Sequence, residues 1–261
     1  MRGLLTAIIG LGLAGSAAAQ PPPVVPVPPT LDAPKPLPPT TTPSGRPLCA
    51  PQKLVRMTVR NISPGLAAAA AAAQPRTLYR RDALYLRSEE SPDPQRGQPV
   101  VIIAEPDIWQ INLATRTGVH QLDPGPELVV HAPILPVAPG MPPQLLGLEY
   151  GCELQFLQAA GAAEPRQTVQ WGAERAGVHV VEFGVHAVTV LMNIRREAPL
   201  MLAYIREGKP VFAIRYDAYR ADLPDNPALF QPPKNMRINE GPPAAKPQPT
   251  TPLPATPESF N

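Results

Sequence analysis

Proline decides which parts of this chain can fold. Of 40 prolines in 261 residues, twelve crowd into residues 21–47, and a second run occupies residues 242–257. Proline fixes φ and lacks a backbone donor, so neither run can enter a helix or sheet interior. Both runs are poor in aromatics and broken by Thr and Ala, so they bury too little apolar area to offset the entropy of ordering. They read as disordered termini, the first an extended spacer of about 3.1 Å per residue. This leaves a β-rich domain over residues 49–240, between a linker at 20–48 and a tail at 241–261.

The first nineteen residues read as a signal peptide. Arg2 supplies the positive start, residues 4–15 (LLTAIIGLGLAG) an apolar run too short to span a bilayer, and Ala17-Ala18-Ala19 a small-residue cleavage site. Cleavage after Ala19 implies a periplasmic or secreted protein with no transmembrane segment afterwards. An uncleaved anchor would need a longer apolar run. In an oxidising compartment Cys49 and Cys152, the two cysteines, most simply form one disulfide; two buried free thiols are the alternative. The bond would close a loop of about 100 residues, a constraint of about 4–5 kcal/mol on chain-entropy grounds. A net charge of +2 without a basic stripe argues against nucleic acid as a partner.

Between the proline runs the pattern is short apolar stretches separated by Pro and Gly. Residues 53–60 (KLVRMTVR), 107–113 (DIWQINL) and 148–156 (LEYGCELQF) alternate apolar and polar, and 99–104 (PVVIIA) is a β-branched run. Strand readings also fall at 77–87, turning at Arg81-Asp82, and at 119–122, 127–132, 167–171, 178–183, 186–195, 200–206 and 210–219. Glu207-Gly208-Lys209 marks a hairpin. The seven alanines at 67–73 suggest a loop or a two-turn helix, and 222–230 a single helical turn. The fold class is therefore mainly β: a curved antiparallel sheet or half-barrel of ten to twelve strands with one or two short helices.

No catalytic constellation emerges. His179, Glu182 and His186 do not converge if 179 lies on one strand face and 182 and 186 on the other, and the four histidines form no metal motif. Glu149 and Glu153 would be about 13 Å apart on a strand, beyond the roughly 5–9.5 Å of a glycosidase pair; they read as solvated charges. No nucleophile elbow, phosphate loop or dinucleotide fingerprint occurs, and no cofactor is implied. What remains is apolar. A curved sheet with few helices to cover it leaves a concave greasy face, for which Trp109, Tyr150, Leu154, Phe156, Val190, Met192, Phe212, Ile214 and Tyr216 are the candidate lining; core packing is the alternative for most of them.

The order of these pieces resembles the superfamily of the periplasmic lipoprotein carrier and its outer-membrane receptor. The matching stretches are 77–87, then 101–118 (VIIAEPDIWQINLATRTG), then 198–219 followed by Leu229-Phe230-Gln231-Pro232-Pro233. Together they span about half the mature chain. The amphipathic N-terminal helix of that family is not visible, and the proline-rich leader and the cysteine pair are additions to it. The resemblance implies an unclosed β-barrel with a helical lid, binding an acyl chain, a lipoprotein or another hydrophobic ligand without covalent chemistry. An envelope adaptor that captures a protein partner by β-augmentation is the competing reading.

Overall fold

The computed structural model describes residues 48–244; the residues read as a signal peptide, the proline-rich leader and most of the tail lie outside the described residues. Twelve strands form one sheet in the order β12-β6-β5-β4-β3-β2-β1-β11-β10-β9-β8-β7. β1 (Leu54–Asn61) lies at its middle. From it β2 (Arg76–Arg81), β3 (Tyr85–Glu90), β4 (Pro99–Ala104), β5 (Asp107–Asn112) and β6 (Thr117–Leu122) run outward as an antiparallel meander. Residues 123–166 then travel to the opposite edge. There β7 (Gln167–Trp171) begins a second meander through β8 (Glu174–Phe183), β9 (His186–Asn193) and β10 (Ala198–Arg206) to β11 (Lys209–Leu223), which pairs with β1. β12 (Arg237–Glu240) adds to β6 in parallel. β7 and β12 do not meet, so the sheet is open.

Period-2 alternation explains most of this. On β1, Val55, Met57 and Val59 are buried on one face while Arg56 points to the other. The last hairpin turns at Glu207-Gly208, both with positive φ (52° and 73°). That is the pairing a two-residue turn needs to match the strand twist.

Two local expectations are overturned. Residues 148–156 are not a strand: Gly151 turns the chain at φ 84°, and α1 (Glu153–Ala159) follows. Its residues, ELQFLQA, are good helix formers, and burial of Glu153, Phe156 and Leu157 has the helical i, i+3, i+4 spacing. The alternation of the preceding residues arose because a turn, not a strand, is buried there. Residues 127–132 form no strand either; Pro126 and Pro133 remove donors on both sides. The alanine run takes the loop of its two expected forms, with a single 3-10 turn at Ala71–Ala73.

The larger correction concerns the covering of the sheet. Few helices exist, yet one face is not bare: the irregular 123–166 segment lies on it. Val130, Ile134, Leu135, Leu145, Leu148 and Leu157 from this segment pack with Met57, Leu78, Val188, Val190, Leu202 and Ile214 from the strands. On the other face, Phe230 from the 3-10 turn Pro227–Phe230 packs on Val100, Ile102 and Ile111 of β4 and β5. Among the described residues no helix is long and apolar enough to cross a membrane.

Candidate functional site

The site is built where the crossing segment meets the strands. A buried cluster of polar side chains fixes that segment. Arg80, on β2, is wholly buried, and its guanidinium donates to four acceptors. Nη1 reaches Glu149 Oε2 at 2.7 Å and the Tyr150 carbonyl at 3.2 Å. Nη2 reaches the Val130 carbonyl at 2.9 Å and the Cys49 carbonyl at 3.1 Å. One strand residue therefore satisfies carbonyls from three separate stretches of otherwise irregular backbone, which could not be buried without such partners. Glu149 also accepts from His131 Nδ1 at 2.8 Å and from the Ala132 backbone at 3.2 Å. Burial opposes ionisation of Glu149, but the bond from His131 and the charge of Arg80 together hold its carboxyl below the usual range.

Beside this cluster a disulfide joins Cys49 to Cys152, tying the start of the domain to the crossing segment just before α1 across 103 residues. On its far side Tyr216 on β11 donates to Glu153 Oε1 at 2.6 Å, and the Gly151 N–H donates to the same oxygen at 3.1 Å. Burial raises the Glu153 carboxyl, with those donors pulling the other way. Glu149 and Glu153 are thus buried anchors rather than solvated charges, because neither stands on a strand edge facing water.

The crossing segment does not fill the face completely. A cavity of about 550 Å³ remains between it and the sheet. The floor is Val59 of β1 with Phe212 and Ile214 of β11; the opposite wall is Ile134, Leu135 and Val137; Tyr150 and Arg76 border it. A second hollow of about 200 Å³ lies between the disulfide, Phe156 and Phe183. A third, of about 450 Å³, has Leu154, Met192 and Tyr219 within it and Lys53, Arg196, Glu197 and Asp222 at its edge.

These hollows divide the nine residues expected to line one groove. Tyr150, Phe212 and Ile214 meet at the main cavity, Phe156 borders the second hollow, and Leu154 and Met192 border the third. Val190 and Tyr216 are core, the latter spent on Glu153. Trp109 is on the opposite face, directly across from Ile102 and stacked on His120 at 5.2 Å between ring centroids. Period-2 parity over four strand pairings puts it there, out of reach of the cavity. The histidine set is likewise dispersed. His179 donates to the Ala162 carbonyl, His186 pairs with the Tyr204 hydroxyl, and Glu182 takes Arg166. His179 and His186 do share a face, contrary to expectation, since Val181 pairs with Val188 and Phe183 with His186 across one hairpin. The disulfide pairs the two cysteines as expected. Arg76, Arg80 and His131 had no distinguishing signal in the sequence; Arg80 is one of many arginines in strand-like stretches.

No family model matches the chain. No curated protein is similar to it in sequence either. Three similar solved structures can be set beside it. An uncharacterised conserved protein from Thermus thermophilus has 12% identity and a TM-score of 0.41, over 73% of this chain and 91% of that one. The Pseudomonas aeruginosa MucA/MucB complex contains a chain with 10% identity and a TM-score of 0.39, over 72% of this chain and 58% of that one. A LolA superfamily protein from Nitrosomonas europaea has 11% identity and a TM-score of 0.28, over 70% of this chain and 92% of that one. Likeness at these scores says nothing of ligand or partner.

Proposed function

We propose that this is an exported, non-enzymatic protein that holds an acyl chain or similar hydrophobic ligand between its sheet and the segment crossing it. The carrying observation is the cavity of about 550 Å³ floored by Val59, Phe212 and Ile214. That volume lies within the range of about 300–1,000 Å³ that suits a small-molecule ligand. The disulfide and the Arg80 cluster hold the wall opposite, so the space is shaped in advance and little ordering is needed on binding. Export rests on Arg2, the apolar run at 4–15 and the small residues before Gln20.

Ligand binding is tested by titrating the full chain with decanoate calorimetrically. Phe212→Glu, a half-buried change at the cavity floor, is expected to abolish binding with the circular dichroism spectrum retained. Val190→Glu, in the core, is expected to unfold the protein instead. Wild-type binding by Phe212→Glu would sink the proposal. A second reading, an envelope adaptor, draws on β7. This edge strand (QTVQW) carries no charge or proline to discourage another strand from pairing with it. Native mass spectrometry of protein purified from its host separates the two: an added acyl mass favours the first, a stoichiometric protein partner the second.

A further inference from the structure

The main cavity is amphipathic, and the two cations and two carboxylates on its polar side are not paired one to one. Four charged residues border it: Arg76, Glu90, Asp93 and Arg96. Arg96 takes both carboxylates, lying 3.8 Å from Glu90 and 3.8 Å from Asp93. Asp93 is further occupied by the backbone N–H groups of Gln95 and Arg96, at 2.8 Å each. Arg76 is left with a phenol. Its Nη2 donates to the Tyr150 hydroxyl at 3.3 Å, its guanidinium lies 5.5 Å from the centre of that ring, and no ion pair to a carboxylate exists for it among the described residues. Arg76 stands between Val59 of β1 and Glu90 of β3 as cross-strand neighbours, without an ion pair to Glu90, so its guanidinium and the apolar floor lie on one face.

A guanidinium presents five donors in a planar fork, and the Tyr150 hydroxyl uses one. Desolvating a fork without an anion is unfavourable, and a carboxylate or phosphate is the group whose geometry matches it. From this juxtaposition we propose that the ligand is a single-chain amphiphile with an anionic head, its head held by Arg76 and its chain laid over Val59, Phe212 and Ile214. The inference rests on the acyl-binding reading and sharpens it from a hydrophobic ligand to an acidic one. Tyr150 is the positioning residue: its hydroxyl accepts from Arg76 Nη2 at the cavity border.

The test compares ligands of one chain length and different heads, by calorimetry on the full chain. Decanoate and decyl phosphate are expected to bind roughly tenfold more tightly than decanol, as one charge-assisted pair at a half-exposed site supplies, and decylamine more weakly than decanol. Arg76→Gln is expected to erase the difference between decanoate and decanol while leaving decanol affinity unchanged; Arg76→Lys is expected to restore part of it. Equal affinity of wild type for decanoate and decanol, or equal loss of both in Arg76→Gln, overturns the anchor while leaving acyl binding intact. Failure of all four ligands to bind overturns the acyl-binding reading, and the anchor with it. The wild-type comparison does not depend on how any variant folds.

Discussion

Replacing Arg80 with methionine keeps a long side chain in the core but removes the four hydrogen bonds that its guanidinium makes. Four acceptors lose a donor: the Glu149 carboxylate and the carbonyls of Tyr150, Val130 and Cys49. Breaking a buried ion pair by deleting one partner costs about 3–5 kcal/mol, because the survivor is left charged without compensation. For a domain of this size that corresponds to a fall in Tm of about 6–20 °C. The pH dependence should also weaken. In the native protein Glu149 sits below its ordinary pKa, so its contribution is present above the unfolded value and lost as pH falls through the folded one. Without Arg80 the bonds from His131 and Ala132 still oppose burial, but the Glu149 pKa moves up and its contribution to stability shrinks. The gap in Tm between wild type and Arg80→Met should therefore be wide near about pH 7.5 and narrower near about pH 3. Adding Glu149→Gln to Arg80→Met should recover at least about 1.5 kcal/mol by removing the stranded charge. Differential scanning calorimetry at both pH values reads all of this. A loss of less than about 2 °C, or a gap independent of pH, would refute the view that this cluster clamps the segment.

The disulfide closes a loop spanning 103 residues, so the Cys49→Ala/Cys152→Ala variant should lose up to about 4–5 kcal/mol. Urea unfolding with and without the bond checks this, and native thiol labelling should find no reactive cysteine. His120 sits between Asp107 (Nε2 to Oδ1, 2.8 Å) and Glu240 (Nδ1 to Oε2, 2.8 Å). Only the imidazolium can donate from both nitrogens at once. Burial works against that charge, but the two carboxylates prevail and raise the His120 pKa. Its stabilisation is complete below the unfolded value of about 6.5 and is lost as pH rises through the folded one. Hydrogen exchange at Arg237–Glu240, the strand that Glu240 fastens to β6, should accelerate between about pH 6 and pH 9 by more than the intrinsic rate, and His120→Gln should remove that excess.

Side-chain period along the chain, and the residues that interrupt it, were enough to place most of the strands, though not to exclude strands at 127–132 and 148–156. The alternation of Val55, Met57 and Val59 and the positive-φ pair Glu207-Gly208 depend on neighbours one or two positions away, so their meaning is local. The pairing of Cys49 with Cys152 followed from there being no other cysteine. What covers the sheet was not local. Residues 148–152 look like a strand because they are half apolar, and they are apolar because a turn is buried against β2. Glu149 was read as a solvated charge since its partner is 69 residues away in sequence. Trp109 and Ile214 look alike in sequence, yet register passed through successive strands sends them to opposite faces. Burial in this protein is a property of which segments meet, and a free cation beside an apolar floor exists only once β1, β2 and the crossing segment have come together.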